Sequence, residues 1–417
     1  MASWFERARF GMFIHWGHVS QRGLEISWPL VGGTPNLPHC QDVPVERYHE
    51  TARGFSPAPG SPRRWLERAR RAGMQYAVFT TKHHDGYAMY DARCSDFSVA
   101  RSAYGGDLVR EYVDAARDLG LKVGFYFSLC DWHHPDYPAF RDEHRPYRFG
   151  RQSKPSPEQW ARFQDFLFAQ LRELLTGYGP IDLLWFDGGW ERSAAEWRSR
   201  ELEDMIRALQ PGILINDRLP GVGDFDTPEQ FVPPQPPLRA WETCLTMNES
   251  WAWNPGDRDY KSARALVHAL CEVAGRGGNL LLNVSPTGDG SLPAEQIERL
   301  DVIARWMDAY GASIVDTAAG LEPWQFYGPS TRRGNRVYVH LLMRPYEDVT
   351  VRGLPIKRVA GVRELRTGEA LAFTTRCSIL DQLFNSDPMG EVTIQVPERL
   401  LDPLATVLEL DLADGGS

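Results

Sequence analysis

The chain has 417 residues, 42% of them hydrophobic and 24% charged, which fits a large catalytic domain with a smaller appendage and excludes wholesale disorder. The net charge is −9, with 46 Lys and Arg against 55 Asp and Glu, so the charge argues against nucleic acid or another polyphosphate as a partner. No apolar run reaches the roughly 20 residues of a membrane-spanning helix. The aromatic share of 12%, with 14 Trp, requires either a large core or an aromatic binding surface.

The cysteines and the N-terminus indicate a reducing compartment. Six Cys are scattered along the chain without CxxC pairs or tight clusters, which in a chain of this length predicts free, mostly buried thiols. The first seven residues lack a basic head followed by an apolar stretch, so we predict no secretory signal. We expect a cytoplasmic protein.

The first three quarters of the chain alternate between short apolar runs and longer amphipathic ones. Nearly continuous apolar runs are typical of parallel strands that are buried on both faces. They predict seven strands: Phe10–Trp16, Tyr76–Thr81, Lys122–Ser128, Ile181–Asp187, Gly212–Asn216, Arg239–Thr243 and Asn279–Ser285. Helical spacing, with Ser-Pro starts in two cases, predicts helices between them: Pro62–Ala72, Asp107–Leu119, Pro157–Leu175, Glu196–Leu209, Ser262–Ala274 and Pro293–Tyr310.

Strand–helix alternation repeated this often predicts an α/β fold with a parallel sheet. Over roughly 300 residues, it favours a (β/α)8-like, TIM-type barrel. Seven strands can be placed better than eight, so we expect a distorted barrel. The stretch Thr227–Leu238 contains five Pro, and it is predicted to be a functional loop without helix or ladder pairing.

The pattern changes near Asp316, where short alternating segments separated by turn residues replace the helices. These segments carry no helical signal and predict a small antiparallel β-sandwich. They are Arg336–Met343, Asp348–Arg352, Arg358–Leu365, Glu391–Val396 and Ala405–Leu410. We therefore expect a catalytic barrel at residues 1–318 and a β-sandwich at residues 319–417.

Polar side chains end the predicted strands, which is where barrel enzymes carry their chemistry. Each has a structural alternative, since a single His is more often a hydrogen-bonded structural residue and Asp187 could cap the helix after its glycines. Gathering such groups at one rim is costly without a polar ligand, so their coincidence favours a binding site. The groups are His15, His83, His84, Asp85, Asp131, Asp187, Asp217, Arg218 and Glu242.

A metal or phosphate site fits the sequence less well than a sugar site. His83 and His84 are adjacent, and the HxH spacing of barrel metallohydrolases is absent. Gly275–Gly278 precedes a strand instead of opening a helix, the reverse of a phosphate cradle. We therefore predict no metal and no cofactor. Two carboxylates on an aromatic-rich rim favour glycoside hydrolysis, in which one attacks the anomeric carbon and the other protonates the leaving oxygen.

Six sequence blocks occur in one order between residue 4 and about residue 290. They are WFxxARFGxFIHWG from Trp4, TKHHDG from Thr81, WFDG from Trp185, NDR from Asn216, WETC from Trp241 and GGNLLLNVSP from Gly277. Together they resemble glycoside hydrolase family 29, the α-L-fucosidases. The resemblance implies a retaining, two-step mechanism, a fucosylated glycan as substrate and a barrel followed by a β-sandwich.

The resemblance also implies roles for individual residues. Asp187 matches the nucleophile. The acid/base is Glu229 by preference, because its Pro-rich loop can approach the glycosidic oxygen from outside the barrel. Glu242 is the second candidate, although a residue within a strand would instead be a buried partner of Arg218 or a pocket histidine. The predicted substrate-binding residues are His15, Glu25, Trp28, His83, His84, Tyr126, Trp185, Arg218 and Trp251.

Two other functions stay open on the sequence alone. An α-L-galactosidase of the same mechanism would differ only in tolerating a hydroxyl at C6, and a non-catalytic fucose-binding homologue would retain the pocket without turnover. The sequence leaves open the linkage, whose contacts are expected from the loops Val31–Cys40 and Asp136–Pro155, and the oligomeric state, a homo-oligomer included. Six tryptophans are expected at the rim for sugar stacking: Trp16, Trp28, Trp185, Trp241, Trp251 and Trp253.

Overall fold

The computed structural model describes residues 4–137 and 154–414. Seven parallel strands form one curled sheet in the order β5-β4-β3-β2-β1-β7-β6. All residues of β1, β2, β4, β6 and β7 are buried, because helices cover one face of the sheet and the other face lines the barrel interior. The strands are β1 (Phe10–Ile14), β2 (Tyr76–Lys82), β3 (Lys122–Ser128), β4 (Leu183–Asp187), β5 (Leu214–Ile215), β6 (Glu242–Leu245) and β7 (Asn279–Val284).

The segment Phe225–Glu229 joins the two edges of this sheet, β5 and β6. Phe225 forms a parallel bridge with Asn216, and Glu229 forms one with Cys244. The prediction that the Pro-rich stretch lacks ladder pairing is therefore wrong at its start. Pro228 has no N–H to donate, but its carbonyl accepts from the Cys244 N–H at 3.2 Å. The predicted distorted barrel is confirmed.

Helices lie between the strands, mostly where the sequence predicts them. One predicted helix, Glu196–Leu209, is divided at Arg198 because this residue adopts φ +53, and two short helices, Trp4–Ala8 and Val45–His49, were not predicted. The predicted capping box at the start of the longest helix is confirmed, with Ser156 and Gln159 bonding each other's backbone. The helices are α1 (Trp4–Ala8), α2 (Val45–His49), α3 (Ser61–Arg71), α4 (Leu108–Asp118), α5 (Pro157–Gly177), α6 (Ala194–Trp197), α7 (Ser199–Leu209), α8 (Ala263–Gly275) and α9 (Ala294–Tyr310).

Two antiparallel sheets follow, as predicted, with a hydrophobic core of their own. One sheet has the strand order β12-β15-β10-β9-β8 and the other β11-β14-β13. A short helix, α10 (Ile379–Phe384), lies between β13 and β14, where no helix was predicted. The strands are β8 (Ala318–Ala319), β9 (Ser330–Arg333), β10 (Arg336–Leu341), β11 (Asp348–Pro355), β12 (Val359–Glu364), β13 (Phe373–Arg376), β14 (Met389–Gln395) and β15 (Thr406–Leu412).

All six cysteines lie in the described residues, and each is a free thiol, three of them buried. Within residues 4–137 and 154–414, every helix is too short or too polar to cross a lipid bilayer.

Candidate active site

A cavity of about 210 Å³ opens at the C-terminal ends of the parallel strands. It is smaller than the ~300–1,000 Å³ pockets of drug-sized ligands, which suits a single sugar ring. Nine of the predicted site residues line it: His15, Trp28, His83, Tyr126, Trp185, Asp187, Arg218, Glu229 and Trp251. Phe13, Asn36 and Trp190 complete the lining. Of the predicted linkage loops, Val31–Cys40 contributes Asn36, and positions 138–153 of the other lie outside the described residues.

Asp187 is the last residue of β4, and hydrogen bonds hold both of its carboxylate oxygens. The Tyr126 hydroxyl donates to Oδ2 at 2.8 Å and Arg218 Nη1 donates to Oδ1 at 3.1 Å. Burial by itself would raise the pKa of Asp187, but the charge of Arg218 and the hydrogen bonds from Tyr126 and Arg218 lower it below its usual value. The carboxylate is therefore held as an anion. Asp187 caps neither the 3-10 turn Gly189–Glu191, whose cap position is Gly188, nor α6, whose cap is Ser193.

Arg218 connects Asp187 to the second carboxylate of the cavity. Its Nη2 donates to Glu229 Oε2 at 2.6 Å, and its guanidinium stacks over the Trp185 ring at 4.5 Å. The Glu229 side chain is 38% exposed, so it stands at the mouth of the cavity. The next residue, Gln230, adopts φ +62, a backbone conformation that a side chain adopts only at a cost.

Glu242 lies below the cavity floor and does not line it. Its Oε1 accepts from Trp185 Nε1 at 3.0 Å, and its Oε2 accepts from the Tyr76 hydroxyl. The sequence places Glu242 near the end of its strand, but it is the first residue of β6, as Tyr76 is of β2. Glu242 therefore belongs to the N-terminal end of the barrel, and its partners are Tyr76 and Trp185, not Arg218 or a histidine.

Glu25 also fails to reach the cavity, although it was predicted to bind substrate. It is buried and accepts three main-chain N–H groups, from Ile26, Trp251 and Ala252, each at 2.8 Å. Burial raises the pKa of Glu25 to about 7. This carboxyl therefore holds the segment that carries Trp251 against the cavity.

Two of the three predicted site histidines present an unprotonated Nε2, as their hydrogen-bond partners require; of these two, His15 lines the cavity and His84 does not. The amide of Asn283 donates to the Trp251 carbonyl, so its Oδ1 accepts the His15 Nδ1 proton at 2.7 Å. Ser128 Oγ donates to the Cys130 carbonyl, so it accepts the His84 Nδ1 proton at 2.7 Å. Burial lowers the pKa of His15 to about 3 and that of His84 to about 4, which keeps both rings neutral.

Aromatic rings form the walls of the cavity. The Tyr126 ring lies nearly parallel to His83 on one side and to Trp185 on the other, with centroids 5.2 and 5.6 Å apart. Trp190 is 44% exposed at the mouth. Trp16, Trp241 and Trp253 do not line the cavity, so their predicted stacking role is not supported. Trp16 is fully buried against the Trp65 ring of α3 instead.

His83, His84 and Asp187 place one potential ligand atom each within 4.8 Å of one another, a spacing that a metal ion could bridge. Asp187 already bonds the Arg218 cation at 3.1 Å. A metal ion there would face the repulsion of a guanidinium in a low-dielectric site. This electrostatic setting suits a neutral ligand better than a cation.

The sequence also matches a known protein family. The family model for alpha-L-fucosidase matches residues 1–312, about three quarters of the chain. The chain belongs to the α-L-fucosidase family. It is therefore a glycoside hydrolase, as the motif order predicts.

Solved α-L-fucosidases share the fold along the whole chain. Isoenzyme 1 from Paenibacillus thiaminolyticus is 37% identical, with a TM-score of 0.85 over 99% of this chain and 98% of that one. An α-L-fucosidase from Bacteroides thetaiotaomicron, described as a trapped covalent intermediate with 2-fluoro-fucosyl fluoride, is 26% identical, with a TM-score of 0.82 over 98% and 95%. Tissue alpha-L-fucosidase from Mus musculus is 28% identical over 442 residues, covering 99% of this chain and 90% of the relative.

Several residues that shape this fucosidase site were not predicted from the sequence. Phe13 and Asn283 lie inside the FIHWG and LLLNVSP blocks, but motif order does not show that one lines the cavity and the other orients His15. Asn36 carries no recognisable signal in its loop. Ser27 and Ser128 orient His83 and His84 from positions 56 and 44 residues away in the chain, so spacing could not have found them.

Proposed function

We propose that the protein is an exo-acting α-L-fucosidase that releases terminal fucose from fucosylated glycans by double displacement, with retention at the anomeric carbon. The observation that carries the proposal is the guanidinium of Arg218, which binds the carboxylates of Asp187 and Glu229 in one sugar-sized cavity. Retaining glycosidases need two such carboxyl groups close together. The covalent intermediate described for the Bacteroides relative supports an ester step.

Asp187 attacks the anomeric carbon and forms the glycosyl ester. Its low pKa keeps it ionised, and the hydrogen bonds from Tyr126 and Arg218 fix the direction of its oxygens. Because the site is already arranged around this carboxylate, little reorganisation is needed when the substrate enters.

Glu229 protonates the leaving oxygen and then, as a carboxylate, takes a proton from the water that releases fucose. Its position at the cavity mouth suits both steps, because the leaving glycan and the water enter from the solvent side. Glu242 is screened from the substrate by Trp185, whose indole N–H it accepts. Its position therefore disfavours it as the acid/base.

The remaining cavity residues account for sugar recognition. The unprotonated Nε2 of His15 accepts a hydrogen bond from a sugar hydroxyl, whereas His84 lies outside the cavity lining with its Nε2 3.7 Å from Asp187 Oδ2. The rings of Phe13 and Trp251, 5.9 Å apart, supply an apolar surface for C–H groups. An L-galactoside would have to place its C6 hydroxyl in this setting, and a buried hydroxyl without a partner weakens binding.

The test follows the anomer that is formed first. Proton NMR during hydrolysis of an aryl α-L-fucoside should show α-L-fucose appearing before the β anomer. Appearance of the β anomer first would contradict double displacement. An aryl α-L-galactoside should be cleaved more slowly under the same conditions, and faster cleavage of the galactoside would contradict the fucose assignment.

We also propose that the enzyme works in the cytoplasm. The support is that six free thiols coexist in one chain, three of them with partial exposure, whereas oxidising compartments favour disulfides. Alkylation of the native protein in cell lysate, followed by mass spectrometry, should find the exposed thiols reduced. Recovery of these cysteines as disulfides would contradict the proposal.

A further inference from the structure

Ser27, which lies one residue before the cavity residue Trp28, contacts the third site histidine. Its hydroxyl oxygen is 2.6 Å from His83 Nδ1 and accepts the main-chain N–H of Asp85 at 2.9 Å. The residue is fully buried. Because a main-chain N–H can only donate, the hydroxyl oxygen is an acceptor in that contact and its proton is available for another partner.

The surroundings direct this proton to His83. The hydroxyl of Tyr48 accepts the Ser27 main-chain N–H at 2.6 Å and donates its own proton to Asp85 Oδ2 at 2.7 Å. The Tyr48 hydroxyl lies near the Ser27 side chain too, but it already accepts the Ser27 N–H, so among the described residues the His83 ring nitrogen, at 2.6 Å, is the better-placed acceptor. If His83 Nδ1 carried a proton instead, the buried hydroxyl proton of Ser27 would lose this acceptor, which native interiors avoid.

We propose that Ser27 is a positioning residue that fixes His83 as the Nε2–H tautomer, which makes His83 a hydrogen-bond donor to a fucose hydroxyl. His15 and His84 have the opposite tautomer, and His15 accepts. The proposal rests on the proposed fucosidase function for its substrate, but the tautomer itself follows from hydrogen bonds of the free protein.

The paired serines behind the adjacent histidines show how the difference arises. Ser128 donates to a main-chain carbonyl and must therefore accept from His84, whereas Ser27 accepts from a main-chain N–H and is free to donate to His83. Two serine side chains therefore select opposite tautomers of the two adjacent histidines. A sugar hydroxyl is both donor and acceptor, so hydroxyls of one sugar ring can use a donor at His83 and an acceptor at His15.

The backbone at Ser27 supports a positioning role. Ser27 adopts φ +63 and ψ −44, a left-handed backbone that a side chain adopts only at a cost. The Tyr48 hydroxyl holds this conformation through the Ser27 N–H. Strain of this kind persists where the surrounding contacts enforce it, and here they aim one hydroxyl at His83 and the following side chain, Trp28, at the cavity.

The first experiment reads the tautomer directly in the wild-type protein. Nitrogen-15 NMR of labelled histidine, with His83 assigned by the loss of its signals in His83→Gln, should show a protonated Nε2 and an unprotonated Nδ1. The matched comparison is His84, which should show the reverse. A protonated Nδ1 at His83 would overturn the proposal whatever the activity of the enzyme.

The second experiment asks whether the tautomer serves the substrate. Ser27→Ala removes the hydroxyl but requires the same backbone conformation, so strain is unchanged. We expect kcat/KM on an aryl α-L-fucoside to fall about tenfold, as for loss of one oriented hydrogen bond. Repeating the measurement with the 2-, 3- and 4-deoxy analogues should abolish the effect of the mutation for one of them, the analogue that lacks the hydroxyl bound by His83.

The outcomes separate this inference from the proposed function. Equal losses on all deoxy analogues, or no loss in Ser27→Ala, would overturn the positioning role even if fucosidase activity is confirmed. Tyr48→Phe is a second variant, which removes the hydroxyl that accepts the Ser27 N–H. Its kcat/KM should fall less than that of Ser27→Ala, and the fall should depend on the same deoxy analogue. Wild-type activity on an L-galactoside alone would refute the proposed function and leave the tautomer result standing.

Discussion

The carboxylates in the cavity and those outside its lining belong to two groups with different electrostatics. In the cavity, Asp187 and Glu229 share one guanidinium. Outside the lining, Glu25 and Glu242 accept hydrogen bonds from uncharged N–H and O–H groups, and burial raises the pKa of each to about 7. The shared cation distinguishes the two cavity carboxylates from the two carboxyls that hold structure.

Among substitutions in the two groups of carboxylates, removal of Asp187 should lower turnover the most. Asp187→Ala deletes the nucleophile, and we expect turnover of an aryl α-L-fucoside to fall by about 10⁴-fold or more. The measurement is the steady-state rate at the wild-type optimum, with thermal unfolding as the control for folding. Retention of more than a hundredth of the activity would show that another group attacks the anomeric carbon.

The acid/base assignment is tested by comparing the two glutamates. Glu229→Ala should lower turnover by about 10²- to 10⁴-fold, and added azide should restore much of it, because a small anion can enter the space left by the side chain and attack the ester. Glu242→Ala should not respond to azide, because the space it leaves lies below Trp185. Rescue of the Glu242 variant alone would reverse the assignment.

Arg218→Lys breaks the shared cation while keeping a positive charge. Lysine lacks the planar fork that binds two carboxylates, so we expect kcat/KM to fall about 10- to 100-fold. Because lysine keeps the charge that lowers the pKa of Asp187, the acid limb of the pH–activity profile should move little in Arg218→Lys and should move to higher pH in Arg218→Gln, which removes the charge. An unchanged acid limb in Arg218→Gln would show that Arg218 does not control the ionisation of Asp187.

Much of the site could be predicted because it lies at strand ends. His15, His83 and Asp187 each end or directly follow a strand, and the strands are recognisable as continuous apolar runs. The sequence also predicts the two antiparallel sheets. Glu242 shows the limit of this approach, since a shift of three residues in the start of β6 moves it from the expected upper end of a strand to its beginning.

The rest depended on contacts that no local pattern contains. Glu25 accepts hydrogen bonds from main-chain groups more than 220 residues away. Trp16 packs against Trp65 of α3 instead of lining the cavity. The segment Phe225–Glu229, which joins β5 to β6, overlaps the predicted Pro-rich loop. It was not predicted to pair, because single parallel bridges produce no apolar alternation in the sequence. Helix α10 escaped prediction because its apolar residues remain exposed and show no buried face.

Glu242→Gln should have the smallest effect on turnover, below about tenfold, and a larger one on the pH dependence of stability. The folded-state pKa of Glu242 is about 7 because of burial, whereas an unfolded Glu titrates near ~4.3. Between these values the folded protein binds more protons than the unfolded one. The contribution of Glu242 to the wild-type free energy of unfolding therefore falls as pH rises through this window, by on the order of 3 kcal/mol.

Glutamine does not titrate, so the free energy of unfolding of the variant should lack the fall that Glu242 causes in the wild type. The stability of the variant relative to wild type should therefore improve from pH 5 to pH 7.5. The Tyr76 hydroxyl can rotate to accept from the new amide, which limits the loss at low pH. Urea unfolding at four pH values measures the difference. Parallel stability curves for the two proteins would mean that Glu242 is ionised in the folded state, and the distinction between the two groups of carboxylates would then fail.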